Sequence, residues 1–150
     1  MTAEITTAVL LAAGRGKRLG ALTADTPKPV LDIAGAPLIS HIIDVLASAE
    51  LKQFIVITGY LSEQIESWAK IYQRENAGIK ITTVRQPELN GTGGAMLAAK
   101  AHLVGQARFV FGWGDILMDR ANYPRFVHRA RVDEYDLMLA VSRVKDPFRG

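Results

Sequence analysis

One hundred and fifty residues, 49% of them hydrophobic and 22% charged, suffice for one globular domain with a core, and they exclude a disordered, collagen-like or low-complexity protein. The absence of cysteine excludes a disulfide scaffold, thiolate metal sites and a cysteine nucleophile, and it fits a reducing compartment. Eighteen Lys and Arg against fifteen Asp and Glu leave a charge of +3, too mild to argue for a nucleic-acid partner.

The first element is an apolar run at residues 5–12. The preceding Met1-Thr2-Ala3-Glu4 has no Lys or Arg, so a secretory signal is not expected. No stretch approaches the roughly 18 apolar residues of a membrane span, and a cytoplasmic protein is expected. Residues 5–12, 54–58, 79–84, 108–111 and 137–141 are compact and mostly rich in β-branched or aromatic side chains, which predicts five strands buried on both faces. Between them, residues 37–49 carry Leu38, Ile42, Val45 and Leu46 at helical spacing, with Pro37 suited to a first helical position. Ser62 is placed to cap a second helix whose Ile65, Trp68, Ala69 and Tyr72 share a face. Met96, Ala99 and Leu103 mark a third helix, and residues 124–132, with Pro124 at its start, a fourth. Strand–helix repetition without hairpin signals predicts an α/β fold: an open, doubly wound, mostly parallel sheet with helices on both faces, in three α/β/α layers and one domain. Ligands of such sheets bind at the carboxyl ends of the strands.

The loop after the first strand reads Ala12-Ala13-Gly14-Arg15-Gly16-Lys17-Arg18-Leu19-Gly20, and Thr26-Pro27-Lys28-Pro29 follows. Its glycines allow close backbone approach to a ligand, and Arg15, Lys17, Arg18 and Lys28 add four positive charges, a phosphate-binding composition. Two common phosphate loops do not fit. Counting Gly-x-Gly-x-x-Gly from Gly14 ends on Leu19, and a Walker loop would need Ser or Thr where Arg18 stands. A second glycine-rich turn, Asn90-Gly91-Thr92-Gly93-Gly94, opens the third helix after Gln86, where free N–H groups and the positive dipole end suit anionic or polar ligand atoms. Asp115 follows Gly114 at the end of the fourth strand, a position where a hard carboxylate oxygen suits Mg²⁺ beside phosphates.

Leu11-Ala12-Ala13-Gly14-Arg15-Gly16-Lys17-Arg18-Leu19 and Thr26-Pro27-Lys28-Pro29 resemble the opening of the sugar-1-phosphate nucleotidyltransferase family, Leu-Ala-Ala-Gly-x-Gly-Thr/Ser-Arg-Leu then Thr-Pro-Lys-Pro. The continuation from Val30 to Ile39 is similar as well. Lys17 stands where the family has a small hydroxyl residue, and Trp113 where a small or amide residue is common. The resemblance implies transfer of a nucleotidyl group from a nucleoside triphosphate to a sugar 1-phosphate, with Mg²⁺ as cofactor. It implies Arg18, Lys28 and Asp115 as catalytic residues, Asp115 also being the metal ligand. Ala13, Gly14, Gly16, Lys17, Gln86, Gly91 and Thr92 would bind the nucleotide. A carboxamide at Gln86 can pair with the edge of uracil or thymine, so UTP or dTTP is favoured. Domains of that family are longer, so residues 1–150 are expected to be the nucleotide-binding part of a domain truncated after Asp146-Pro147-Phe148-Arg149-Gly150. A non-catalytic nucleotide-binding module and an NAD-dependent dehydrogenase remain as alternatives. No nucleic acid or membrane partner is expected, and homo-oligomerisation stays open. His41, His102 and His128 lack metal-ligand spacing, and Arg120, Arg125, Arg129 and Arg131 are expected to form a solvated helix face.

Overall fold

The computed structural model describes residues 4–88, 90–134 and 136–141. In chain order its elements are β1 (Thr7–Ala12), a short hairpin of β2 (Asp32–Ile33) and β3 (Ala36–Pro37), α1 (Leu38–Ser48), β4 (Gln53–Thr58), α2 (Ser62–Glu75), β5 (Lys80–Arg85), α3 (Thr92–Ala99), β6 (Val110–Trp113) and α4 (Asn122–Val132). Tight 3₁₀ turns occupy Lys17–Thr23, Lys28–Val30 and Lys100–His102.

The main sheet is wholly parallel, in the order β5-β4-β1-β6. From β1 the chain winds outwards through β4 to β5, then crosses to the other side of β1 as β6, so the winding reverses between β1 and β6. Such a reversal parts the loops above it and opens a crevice. Strand side chains alternate between two cores. Ala8, Leu10, Ala12, Phe54 and Val56 pack with Ile39, Ile42, Ile43, Ile65, Trp68 and Val127 from α1, α2 and α4. Val9, Leu11, Ile55 and Ile57 face Ala95 and Ala99 of α3. The three α/β/α layers follow.

Four expected strands form, each end within two residues of its expected place. Residues 137–141 do not form the fifth: they take no regular structure, and Leu137, Leu139 and Val141 are exposed. Residues 146–150 lie outside the described residues. Several helix starts differ from expectation. Pro37 precedes α1 rather than beginning it, and α4 begins at Asn122, which puts Pro124 third in the helix. Proline is tolerated there because the first four N–H groups of a helix have no partner within it. The second helix is capped by Leu61 in the left-handed region at φ 49°, while Ser62 is its first, buried residue. On the third helix Met96 is 39% exposed and Leu103 lies past the end; Ala95 and Ala99 make the buried face instead.

Arg131 is not part of a solvated face. It donates to the carbonyls of Ile5 and Ala49, at 3.0 Å each, and pairs with Glu50 at 2.9 Å, tying α4 to the end of α1 and the approach to β1. His41 sits against the Ile33 carbonyl at 2.7 Å, joining α1 to the β2–β3 hairpin.

Candidate active site

β1 delivers buried Ala13 and exposed Gly14 to the crevice. Gly16 then turns the chain at φ 62°, and its carbonyl accepts bonds from Leu19 N at 2.9 Å and Thr23 Oγ1 at 3.0 Å. A side chain at Gly16 would be strained, and its Cβ would meet Thr23 Cγ2 at 3.1 Å. The loop is fastened from the β4 side: Tyr60 N donates to the Ala13 carbonyl at 3.2 Å, Tyr60 OH to the Ala24 carbonyl at 2.5 Å, and Gln64 Nε2 to the Asp25 carbonyl at 2.7 Å. The Arg15 guanidinium lies over the Tyr60 ring, 5.0 Å from its centroid.

Past β5, the Gln86 backbone N–H continues the ladder to the Thr58 carbonyl at 2.8 Å. Its carboxamide is buried, and Nε2 donates to Asn90 Oδ1 at 2.9 Å and to the Gly91 carbonyl at 3.2 Å. Gly91 at φ 91° and ψ −173°, a conformation essentially reserved for glycine, turns the chain into α3 at Thr92.

At the end of β6, Gly114 N donates to the Leu11 carbonyl at 2.8 Å. A Cβ there would sit 3.2 Å from that carbonyl and 3.1 Å from Ile39 Cδ1, so a side chain would push the two strand ends apart by a few tenths of an ångström, and glycine lets them approach closely. The next residue, Asp115, is thereby held above the switch point, with Oδ2 3.1 Å from Lys28 Nζ and both side chains about 30% exposed. Trp113, 48% exposed, packs edge-on to Phe111 with centroids 6.2 Å apart.

These segments wall one cleft of about 330 Å³: Ala13, Gly14 and Arg15 from the first loop, Gln86, Gly91 and Thr92 from the second, Trp113 and Asp115 from the third. Lys28 reaches it through Asp115. Gly16, Lys17 and Arg18 do not line it, and both basic residues are exposed at the start of the Lys17–Thr23 turn. Three contributors carried no assigned role in the sequence. Arg15 was one cation among four, Tyr60 had only its place just past a strand end, and Asn90 only its spacing of four from Gln86. The cleft thus joins a cationic rim, a buried carboxamide and one carboxylate. Among the described residues no group of three or more His, Asp or Glu is placed to hold a metal, so Asp115 alone offers the cleft a hard anionic donor.

The nucleotidyl transferase family matches residues 7–149. A UTP–glucose-1-phosphate uridylyltransferase of Haloferax volcanii is 34% identical over 137 residues, covering 91% of this chain and 54% of that protein. A mannose-1-phosphate guanylyltransferase of Mycobacterium tuberculosis is 32% identical over 140 residues, covering 93% and 38%. An inositol-1-phosphate CTP transferase from T. maritima shares the fold, with a TM-score of 0.70 at 20% identity over 90% of this chain and 52% of that one. The chain spans about half, or less, of the length of these relatives. With the match running from β1 through all four parallel strands and the cleft above them, the chain belongs to the nucleotidyl transferase family, as its first glycine-rich loop led us to expect.

Proposed function

We propose that the chain carries the nucleotide site of a transferase joining a nucleoside triphosphate to a sugar 1-phosphate, with release of pyrophosphate. The convergence of Gly14 and Arg15, Gln86 and Gly91, and Asp115 on one cleft at the switch point supports this most strongly. The names of the relatives agree on the reaction class and differ in the base, which covers uridylyl, guanylyl and cytidylyl transfer.

A phosphate oxygen of the sugar 1-phosphate bonds to the α-phosphorus in line, while the bond from that phosphorus to the bridging oxygen breaks and pyrophosphate departs with the electron pair. Positioning and charge neutralisation carry most of such a rate. Lys28 neutralises charge around the reacting centre. Arg18, at the start of the Lys17–Thr23 turn, stabilises the departing pyrophosphate. The residues present fit Mg²⁺, since that ion binds through one or two carboxylates plus waters and substrate phosphates, and Asp115 supplies the carboxylate. When bound, Mg²⁺ supplies charge neutralisation on the phosphoryl oxygens. Gln86 reads the base: its Nε2 donors are held by Asn90 and Gly91, so Oε1 accepts an N–H from the base edge, which the N3–H of uracil or thymine supplies in UTP or dTTP.

The test is pyrophosphate release from UTP or dTTP with Mg²⁺ and a panel of sugar 1-phosphates, in a chain extended to the length of the relatives, since these 150 residues span about half of that length. Release is expected with at least one sugar phosphate, and Asp115→Asn is expected to abolish it with folding intact. Release unchanged in Asp115→Asn removes Asp115 from the metal role. Nucleotide binding without release across the panel makes the chain a nucleotide-binding module and overturns the catalytic reading.

A further inference from the structure

The cations of the first loop are not equivalent. Lys28 is engaged by Asp115 at 3.1 Å, while Lys17 and Arg18 stand outside the cleft lining. Arg15 lines the cleft, and among the described residues no carboxylate pairs with it. Its partner is the Tyr60 ring, 5.0 Å from the guanidinium carbon. A cation–π contact of this kind takes up no carboxylate partner and leaves guanidinium N–H donors for planar or tetrahedral oxyanions. The ring in turn is fixed at both ends of its residue, by the backbone bond to Ala13 at 3.2 Å and the hydroxyl bond to Ala24 at 2.5 Å. Those two carbonyls flank the glycine-rich segment, so Tyr60 fixes the loop and its cation together.

We propose that Arg15 contacts the phosphates of the bound nucleotide and that Tyr60 is the positioning residue that holds the guanidinium at the cleft. The proposal rests on the nucleotide reading above and adds two residues to it. Charge on a long, mobile side chain costs conformational entropy to place, and a fixed ring lowers that cost before the ligand arrives.

The experiment is calorimetric titration of the full chain, in Mg²⁺, with whichever of UTP, dTTP, CTP, GTP and ATP binds most tightly, at low and physiological salt. Arg15→Gln is expected to weaken binding on the order of tenfold to hundredfold, the worth of hydrogen bonds to a charged group, and to flatten the salt dependence. Arg15→Lys keeps the charge and should retain more of both. Tyr60→Leu should weaken binding about two- to fivefold, as loss of an exposed cation–π contact does, and Tyr60→Phe, which keeps the ring and loses only the hydroxyl tie to Ala24, should lose less. In the Arg15→Gln background, Tyr60→Leu should cost less than it does alone, because the part carried by the ring through Arg15 is already gone, while the part carried by the hydroxyl tie to Ala24 stays. Unchanged affinity in Arg15→Gln, a loss with unchanged salt dependence, or a full Tyr60→Leu loss in the absence of Arg15 overturns the proposal and leaves the nucleotide reading standing. Absence of binding by any of the five to the unmodified chain overturns both.

Discussion

Replacing Gln86 by a carboxylate would aim it at two acceptors, Asn90 Oδ1 at 2.9 Å and the Gly91 carbonyl at 3.2 Å. Gln86→Glu is therefore expected to cost about 1–3 kcal/mol of stability. It should also move base preference from uracil or thymine towards guanine, whose edge offers donors to a carboxylate. Comparing triphosphate affinities on the folded variant checks this, and an unaltered ranking contradicts the contact. At this scale the sequence was informative where chemistry is concentrated in one residue type. Gln86, Gly91, Thr92 and Asp115 stand at the cleft as the loops after strands led us to expect. Arg15 rather than Lys17 or Arg18 faces the cleft because Gly16 turns the chain at φ 62°, a reversal that residue spacing does not reveal.

Thr58 closes β4 with its hydroxyl buried and without a partner among the described residues. Thr58→Val keeps the shape, removes an orphaned polar atom and raises β-propensity, so melting should stay level or rise; a fall of several degrees would show that the hydroxyl has a partner in solution. In α2, burial together with hydrogen bonding to Asp44 holds the Tyr72 hydroxyl above the usual tyrosine range. Its ionisation thus favours the unfolded chain. The stability it contributes is complete below about pH 10 and is lost as pH rises through the native-state value. Alkaline melting of the unmodified chain and of Tyr72→Phe should diverge less as pH climbs; parallel curves contradict this. Strands with β-branched cores were legible from composition, whereas the β2–β3 hairpin was not. Its turn places Ala34 at φ 53° and Gly35 at φ 89°, helped by Gly35 N donating to Asp32 Oδ1 at 2.9 Å, and Ala-Gly lacks the Asn-Gly or Asp-Gly signature of such turns. Residues 137–141 are a compact apolar run of the kind a strand buried on both faces shows, yet composition alone supplies no hydrogen-bonding neighbour, and β6 ends the sheet among the described residues.

Over the whole molecule, parallel order, helices on both faces and the position of the cleft were legible because alternation of short apolar runs with amphipathic stretches leaves few topologies. Long-range ties were not. Arg131 reaches Ile5, Ala49 and Glu50, residues separated from it by 126, 82 and 81 positions, and nothing local in a basic helix end announces them. Arg131→Ala is expected to lower stability by about 2 kcal/mol, or roughly 4–8 °C in melting temperature, by orphaning two carbonyls; an unchanged melting temperature would mean the ties contribute nothing. The central claim is that the switch-point cleft binds a nucleoside triphosphate, and thermal melting with Mg²⁺ and each of UTP, dTTP, CTP, GTP and ATP tests it most directly. A ligand at a hundredfold its dissociation constant adds about 2.7 kcal/mol, a rise of roughly 5–10 °C at this size. We expect that rise with UTP or dTTP, weakened by Asp115→Asn; no rise with any of the five would contradict the claim.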